Sequence, residues 1–187
     1  MSPDRPDTGT TPNTPTAHGS SAQPPRALVV TASNRAAAGV YQDRGGPLVA
    51  DGLRSLGFTV DGPEVVPDGD PVEAALRRAA AAGYDVVLTT GGTGISPTDR
   101  TPEATRAVID REVPGIAEAI RARGRQQVPS ADLSRGLAGV ARRTLVVNLP
   151  GSTGGVRDGL AVLAQVLPHA VDQLRGGDHP APGGGAH

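Results

Sequence analysis

The sequence predicts an α/β domain whose largely parallel sheet is covered by helices on both faces. Two observations carry this. Short apolar runs rich in β-branched residues read as buried strands, and they alternate with segments whose apolar residues recur at helical spacing. That alternation of strand and helix is the pattern of parallel strands joined by helical crossovers.

The elements follow in chain order. RALVVTAS (26–33) is an apolar run ending in small polar residues, a buried strand. GPLVADGLRSLG (46–57) places Leu48, Val49, Leu53 and Leu56 on one helical face, with Gly57 as the stop. FTVDGPEVVP holds a second strand, expected to be interrupted near Gly62 and Pro63. PVEAALRRAAAAG (71–83) starts on proline and ends on glycine, the asymmetry of a helix, with Val72, Ala75, Leu76 and Ala79 on one face. YDVVLTT is the third strand. Thr101 is expected to cap a helix beginning at Pro102, with Glu103 favoured by the helix dipole. PGIAEAIRARG gives a helix from Pro114, and RTLVVNLPG (143–151) a strand ending in Pro-Gly. The last helix spans about 155–174, with Val156, Leu160, Leu163, Leu167, Ala170 and Leu174 as its apolar stripe.

Composition bounds the function. The 187 residues fit one domain at 26–175, flanked by Pro-, Ser- and Gly-rich tails at 1–25 and 176–187 that read as disordered. With a net charge of -1 and 2% aromatic residues, neither a phosphate-neutralising patch nor base-stacking platforms are expected, so no nucleic acid is. No apolar run approaches the roughly 20 residues that span a membrane, and no apolar leader core is present. The chain has no cysteine, which excludes disulfides and thiolate chemistry, and a cytoplasmic location is expected. All 18 basic side chains are arginine, so Schiff-base chemistry and a Walker lysine are excluded. The four histidines show no metal-ligand spacing, which leaves hydrolase-type catalysis unsupported.

In open parallel sheets ligands bind beyond the carboxyl ends of the strands. That rule selects the loops after Ser33, Val66, Thr90 and Leu149. The third contains Gly91, Gly92, Thr93 and Gly94, whose backbone N–H groups suit an anion nest or a plain tight turn. Ser96, Thr98, Asp99 and Arg100 follow. An acidic side chain beside an anion nest is explained by a cation between them, and Mg²⁺ commonly takes one or two carboxylates plus substrate phosphates. Asp99 also fits a turn residue or an ion-pair partner of Arg100. Asp68, in VPDGD, is a second candidate carboxylate and equally a turn aspartate. The long first loop supplies Ser33, Asn34, Arg35, Tyr41, Asp43 and Arg44. The fourth sets Asn148, Pro150, Gly151 and Ser152 before the last helix, a second phosphate cradle or a simple cap. Ser134 and Arg135 can bind an anion or cap a helix.

With these residues in place, the chain resembles the Mog/MoaB-type molybdopterin adenylyltransferases of molybdenum cofactor biosynthesis. The resemblance covers 26–177 and rests on ASNRAAAGVYQDRGGP, LTTGGTGISPTDRTPEAT, ADLSRG and LVVNLPGS. It implies a three-layer α/β/α domain with the Mog/MoaB-like molybdopterin-binding fold, and a homotrimer. It implies ATP and molybdopterin as substrates, Mg²⁺ as the metal, and contact with the molybdate-insertion protein. By the same resemblance Asp68 and Asp99 are the catalytic, metal-binding aspartates, and Ser134 lies in the pterin-phosphate region. Many members carry Ser-Asp-Arg where this chain has Ser33-Asn34-Arg35, and asparagine keeps the size and hydrogen bonding without the charge. Because one fold hosts several reactions, a non-catalytic molybdopterin-binding or scaffolding protein is the alternative.

Overall fold

A computed structural model describes residues 23–176. The expected tails, 1–25 and 176–187, lie outside the described residues except for 23–25 and Gly176. The elements are β1 (Arg26–Ala32), α1 (Asn34–Ala37), α2 (Gly45–Ser55), β2 (Thr59–Val66), α3 (Asp70–Ala81), β3 (Val86–Thr90), α4 (Thr101–Arg106), β4 (Arg111–Glu112), α5 (Pro114–Arg125), a 3₁₀ turn (Pro129–Leu133), β5 (Ala138–Ala141), β6 (Thr144–Leu149) and α6 (Thr153–Arg175).

One six-stranded sheet runs β2-β1-β3-β6-β5-β4. β2, β1, β3 and β6 are parallel, whereas β5 pairs antiparallel with both β6 and β4. The central strands bury both faces, so the strand period of two sends alternate residues into two separate cores. Val29, Leu88, Val147 and Leu149 face Val49 and Leu53 of α2, Ile120 of α5, and Val156, Leu163 and Leu167 of α6. Leu28, Val30, Val87 and Val146 face Val72, Ala75 and Leu76 of α3 and Ala104 of α4. This is a three-layer α/β/α sandwich.

Two expectations need correction. β2 is not interrupted at Gly62 and Pro63: its register against β1 shifts between Leu28 and Val30, and the extra residue is absorbed as a bulge. Thr101 does not cap α4. It is the helix's first residue, Arg100 takes the cap position without a side-chain bond, and the buried Thr101 hydroxyl is turned elsewhere. The long first loop contains the short α1, which Ser33 caps by accepting from Ala36 N–H at 3.1 Å. β4 and β5 add an antiparallel edge beyond the parallel strands.

At the opposite end of the sheet from the strands' carboxyl termini, one anchor joins the start of β1 to the end of α6. Arg175 donates to both Asp85 oxygens at 2.7 and 2.9 Å and to the carbonyl of Gln23 at 3.0 Å. The Arg26 N–H adds a bond to Asp85 at 2.7 Å. Burial alone would raise the Asp85 pKa, but the Arg175 and Arg26 donors and the charges of both arginines outweigh it and leave it below the usual aspartate value.

Candidate functional site

The strand order reverses between β1 and β3: the chain leaves β1 for β2 on one side and reaches β3 on the other. A crevice opens at such a switch point beyond the strands' carboxyl ends. The loops after β1, β2, β3 and β6 all meet there, tied by specific bonds. Thr90 Oγ1 donates to the Pro150 carbonyl at 2.8 Å, and Gly91 N–H to the Leu149 carbonyl at 3.3 Å. Thr101 N–H donates to the Gly92 carbonyl at 3.1 Å.

Gly91 and Gly92 both have positive φ, +93° and +63°. A Cβ at Gly91 would strike the Ala32 carbonyl, and one at Gly92 the Asp68 carboxylate and Thr101 hydroxyl. Backbone geometry and close approach therefore both demand glycine here.

Asp68 sits at the centre of this junction. Its Oδ1 accepts from Gly69 N–H at 2.8 Å and from the Thr101 hydroxyl at 2.9 Å, and its Oδ2 accepts from Arg100 N–H at 2.9 Å. Its own N–H donates to Asn34 Oδ1 at 3.0 Å. Two carboxylate oxygens offer about four acceptor positions, so about one is left for a ligand. Thr101 is the residue that sequence reasoning missed: its partner lies 33 positions away, and only its burial and hydroxyl hint at the role. Asp99 is freer. Its Oδ2 accepts from Ser96 N–H at 3.3 Å, the sole side-chain bond it makes among the described residues.

Two cavities adjoin this junction. One, of about 430 Å³, is lined by Ser33, Asn34, Arg35, Tyr41, Arg44, Asp68, Gly91 and Thr98 among others. The second, of about 800 Å³, is lined by Thr93, Gly94, Ser134 and Pro150, with Ile120, Val128 and Leu133 giving it an apolar wall and Arg121, Arg157 and Asp158 a charged one. The two share Gly92, Asp99, Gly151 and Ser152. Asp99 thus stands where they meet. Ser152 caps the 23-residue α6, its Oγ accepting from Gly155 N–H at 3.1 Å, so the positive end of a long helix also faces this boundary. Arg35 and Arg44 form no ion pair among the described residues; the Arg35 guanidinium lies over the Tyr41 ring, 5.4 Å from its centroid.

Two sequence candidates are placed differently. Asn148 lines neither cavity. Its side chain is buried, donates to Thr89 Oγ1 and Thr105 Oγ1 at 3.0 and 2.9 Å, and accepts from Leu137 N–H at 3.2 Å. Its position as the odd-faced polar residue of a buried strand sends the amide into the core, not toward a phosphate. Arg135 also lines neither cavity; its guanidinium is held by protein acceptors. It donates to the carbonyls of Gly94 and Asp99 at 2.7 and 2.6 Å and pairs with Glu103. Burial raises the Glu103 pKa, but the Arg135 hydrogen bond and charge, with a backbone bond, bring it below the ordinary glutamate value.

The donor set suits a hard cation: two carboxylates beside a glycine turn. Among the described residues no group of three or more His, Cys, Asp or Glu side chains could hold a metal alone, so ligand oxygens would have to complete any such shell. No helix among the described residues is long and apolar enough to cross a membrane.

Comparison with known proteins agrees with this fold. A molybdenum cofactor biosynthesis bifunctional protein of Synechococcus elongatus is 41% identical over 154 residues, 82% of this chain and 48% of that one. The chain spans about half the length of the first bifunctional relatives it matches. A molybdopterin adenylyltransferase of Helicobacter pylori is 37% identical over 155 residues, 79% of this chain and 86% of that one. A solved molybdopterin biosynthesis Mog protein from Mycobacterium ulcerans is 52% identical with a TM-score of 0.79, covering 83% of this chain and 99% of that chain. A solved MogA structure is 58% identical, with a TM-score of 0.78, covering 80% and 99%. Residues 28–169 match the family described as "Probable molybdopterin binding domain", and with a fold shared with the Mog proteins the chain belongs to that molybdenum cofactor biosynthesis family.

Proposed function

We propose that the chain transfers the adenylyl group of ATP to the terminal phosphate of molybdopterin, releasing pyrophosphate. The observation that carries this reading is the wall shared by the two cavities at Gly92, Asp99, Gly151 and Ser152. A transfer between two bound substrates needs two compartments that meet where the bonds exchange. Both volumes lie in the range of small-molecule sites. The names of the relatives supply the acceptor and the reaction class.

An oxygen of the molybdopterin phosphate attacks the α-phosphorus of ATP. A new P–O bond forms, the α–β anhydride P–O bond breaks, and its electron pair leaves on pyrophosphate. No covalent enzyme intermediate is required, in keeping with a chain that has neither cysteine nor lysine. The problem for the protein is the mutual repulsion of two phosphate groups. Backbone N–H groups of 92–94 and of the start of α6 answer it with fixed donors, the Gly91 N–H being held by the Leu149 carbonyl. Arg35 and Arg44 bring positive charge to the smaller cavity. Mg²⁺ would be held by Asp99 and the remaining acceptor position of Asp68, and when bound it would screen the phosphate charge. A homotrimer is proposed alongside, and light scattering tests it.

The test is Asp99→Asn, assayed for pyrophosphate release with ATP, Mg²⁺ and molybdopterin. Release is expected to fall by about 100-fold or more, as for loss of a transition-state electrostatic contact. Molybdopterin affinity, read by fluorescence, stays within a few-fold. Unchanged turnover would remove the metal role. Tight molybdopterin binding by the unaltered chain with no pyrophosphate release would instead favour the non-catalytic binding or scaffolding reading.

A further inference from the structure

We propose that Arg135 is a positioning residue: it clamps the excursion 94–99 shut and thereby fixes Asp99 at the boundary of the two cavities, without itself contacting a substrate anion. The catalytic part of this rests on the adenylyl-transfer reading above; the clamp does not.

The excursion has little to hold it by itself. Ile95, Ser96, Pro97 and Thr98 are exposed, Ile95 by 68%. Its internal bonds are the turn from Asp99 N–H to the Ser96 carbonyl at 2.9 Å, the 3.3 Å bond from Ser96 N–H to Asp99 Oδ2, and the contacts of Ser96 Oγ with Thr98. Both of its ends are gripped by one residue. Arg135 N–H donates to the Thr93 carbonyl at 2.7 Å, Nε to Gly94 O at 2.7 Å, and Nη2 to Asp99 O at 2.6 Å. Nη1 is neutralised by Glu103 in the first turn of α4. The planar fork meets two carbonyls and a carboxylate from three separate nitrogens, whereas an ammonium must send all its donors from one atom.

The clamp is itself braced. Arg121 of α5 donates from Nη1 to the Gly136 carbonyl at 2.8 Å and, more weakly, to that of Ser134 at 3.5 Å. The segment carrying Arg135 is thus fixed from a rigid helix. With its guanidinium committed to three protein acceptors and outside both cavities, Arg135 is poorly disposed to meet a phosphate. Its leverage is on where Asp99 sits.

The experiment compares Arg135→Lys and Glu103→Gln with the unaltered chain. Hydrogen exchange is measured without substrates, and kcat and KM with ATP, molybdopterin and Mg²⁺. In Arg135→Lys the hydrogen-bonded amides of Ser96 and Asp99 should exchange roughly tenfold faster or more, while those of 68–70 stay within about twofold. The kcat should fall about 10- to 100-fold, as displacement of a reacting group does, with KM for ATP and molybdopterin within about threefold and half-saturation by Mg²⁺ moved upward. Glu103→Gln keeps both main-chain bonds and should show the same pattern at roughly a third to a tenth of the size. It preserves the test should the lysine variant fail to fold. Unaltered exchange and kcat in Arg135→Lys would overturn the proposal. So would a raised KM for either substrate at unchanged kcat, which would make Arg135 an anion contact. If the unaltered chain shows no adenylyl transfer, the exchange pattern alone still decides the clamp.

Discussion

Replacing Asp68 and Asp99 in turn by asparagine separates two jobs that similar carboxylates perform at this site. In Asp68→Asn one oxygen becomes an NH₂ group. If it replaces Oδ2 it faces Arg100 N–H; if it replaces Oδ1 it faces Gly69 N–H, although the Thr101 hydroxyl can turn to accept. Either way one backbone donor loses its acceptor. A hydrogen bond to a charged group is worth about 1.5–3 kcal/mol, and water reaches the exposed Arg100 end, so about 1.5 kcal/mol is the expected loss. For a domain of this size that lowers Tm by about 3–6 °C. Asp99→Asn forfeits at most the 3.3 Å bond from Ser96 and should melt within about 1–2 °C of the unaltered chain. Both variants should lose pyrophosphate release, but only Asp68→Asn should lose stability. Thermal melting by circular dichroism at neutral pH, without ligands, reads the difference. An unshifted Tm in Asp68→Asn would refute the view that this carboxylate holds the loops together.

Two further outcomes follow from side chains away from the chemistry. Asn148→Ala strands the Leu137 N–H and removes the donor to two threonine hydroxyls, at about 3 kcal/mol, so Tm should fall by about 6–12 °C while substrate KM values at low temperature hold; lost ATP affinity at unchanged Tm would mean that Asn148 faces the ligand. The lowered Asp85 pKa makes its contribution to stability fully present above the unfolded aspartate value of about 3.9 and lost as pH falls through the lower folded value, so Asp85→Asn should be less stable than the unaltered chain near neutral pH and the gap should narrow progressively as pH falls below about 3.9; urea unfolding across that range checks this, and a gap that stays constant in acid would contradict it.

The legible parts of the fold were those set by local pattern. β1, β3 and β6 are buried on both faces, and continuous apolar runs announce that. α3 is bounded by Pro71 and Gly83, whose backbone constraints act within a turn. The illegible parts depend on partners far along the chain. β5 is four small residues, Ala138–Ala141, which become a strand because β6 and β4 flank them. Gly62 and Pro63 carry a break signal, yet pairing with β1 survives by a shift of register. In the site, the 91–94 turn and the polar loops were visible because glycine and hydroxyl residues cluster at strand ends. The division of labour was not. Thr101 has the composition of a helix cap, but the Asp68 carboxylate claims its hydroxyl. Asn148 and Arg135 have the composition of ligand contacts, but core threonines and loop carbonyls claim them.

The anchor formed by Arg175, Asp85, Arg26 and Gln23 has a consequence for how this unit travels in evolution. It holds the first strand's beginning and the last helix's end side by side. A unit whose two ends leave from one place can be spliced into a longer polypeptide without opening its sheet, because neighbouring sequence is added at a single point on the surface away from the crevice. The bifunctional relatives, about twice as long as the matched region, show such a unit carried alongside other sequence in one polypeptide.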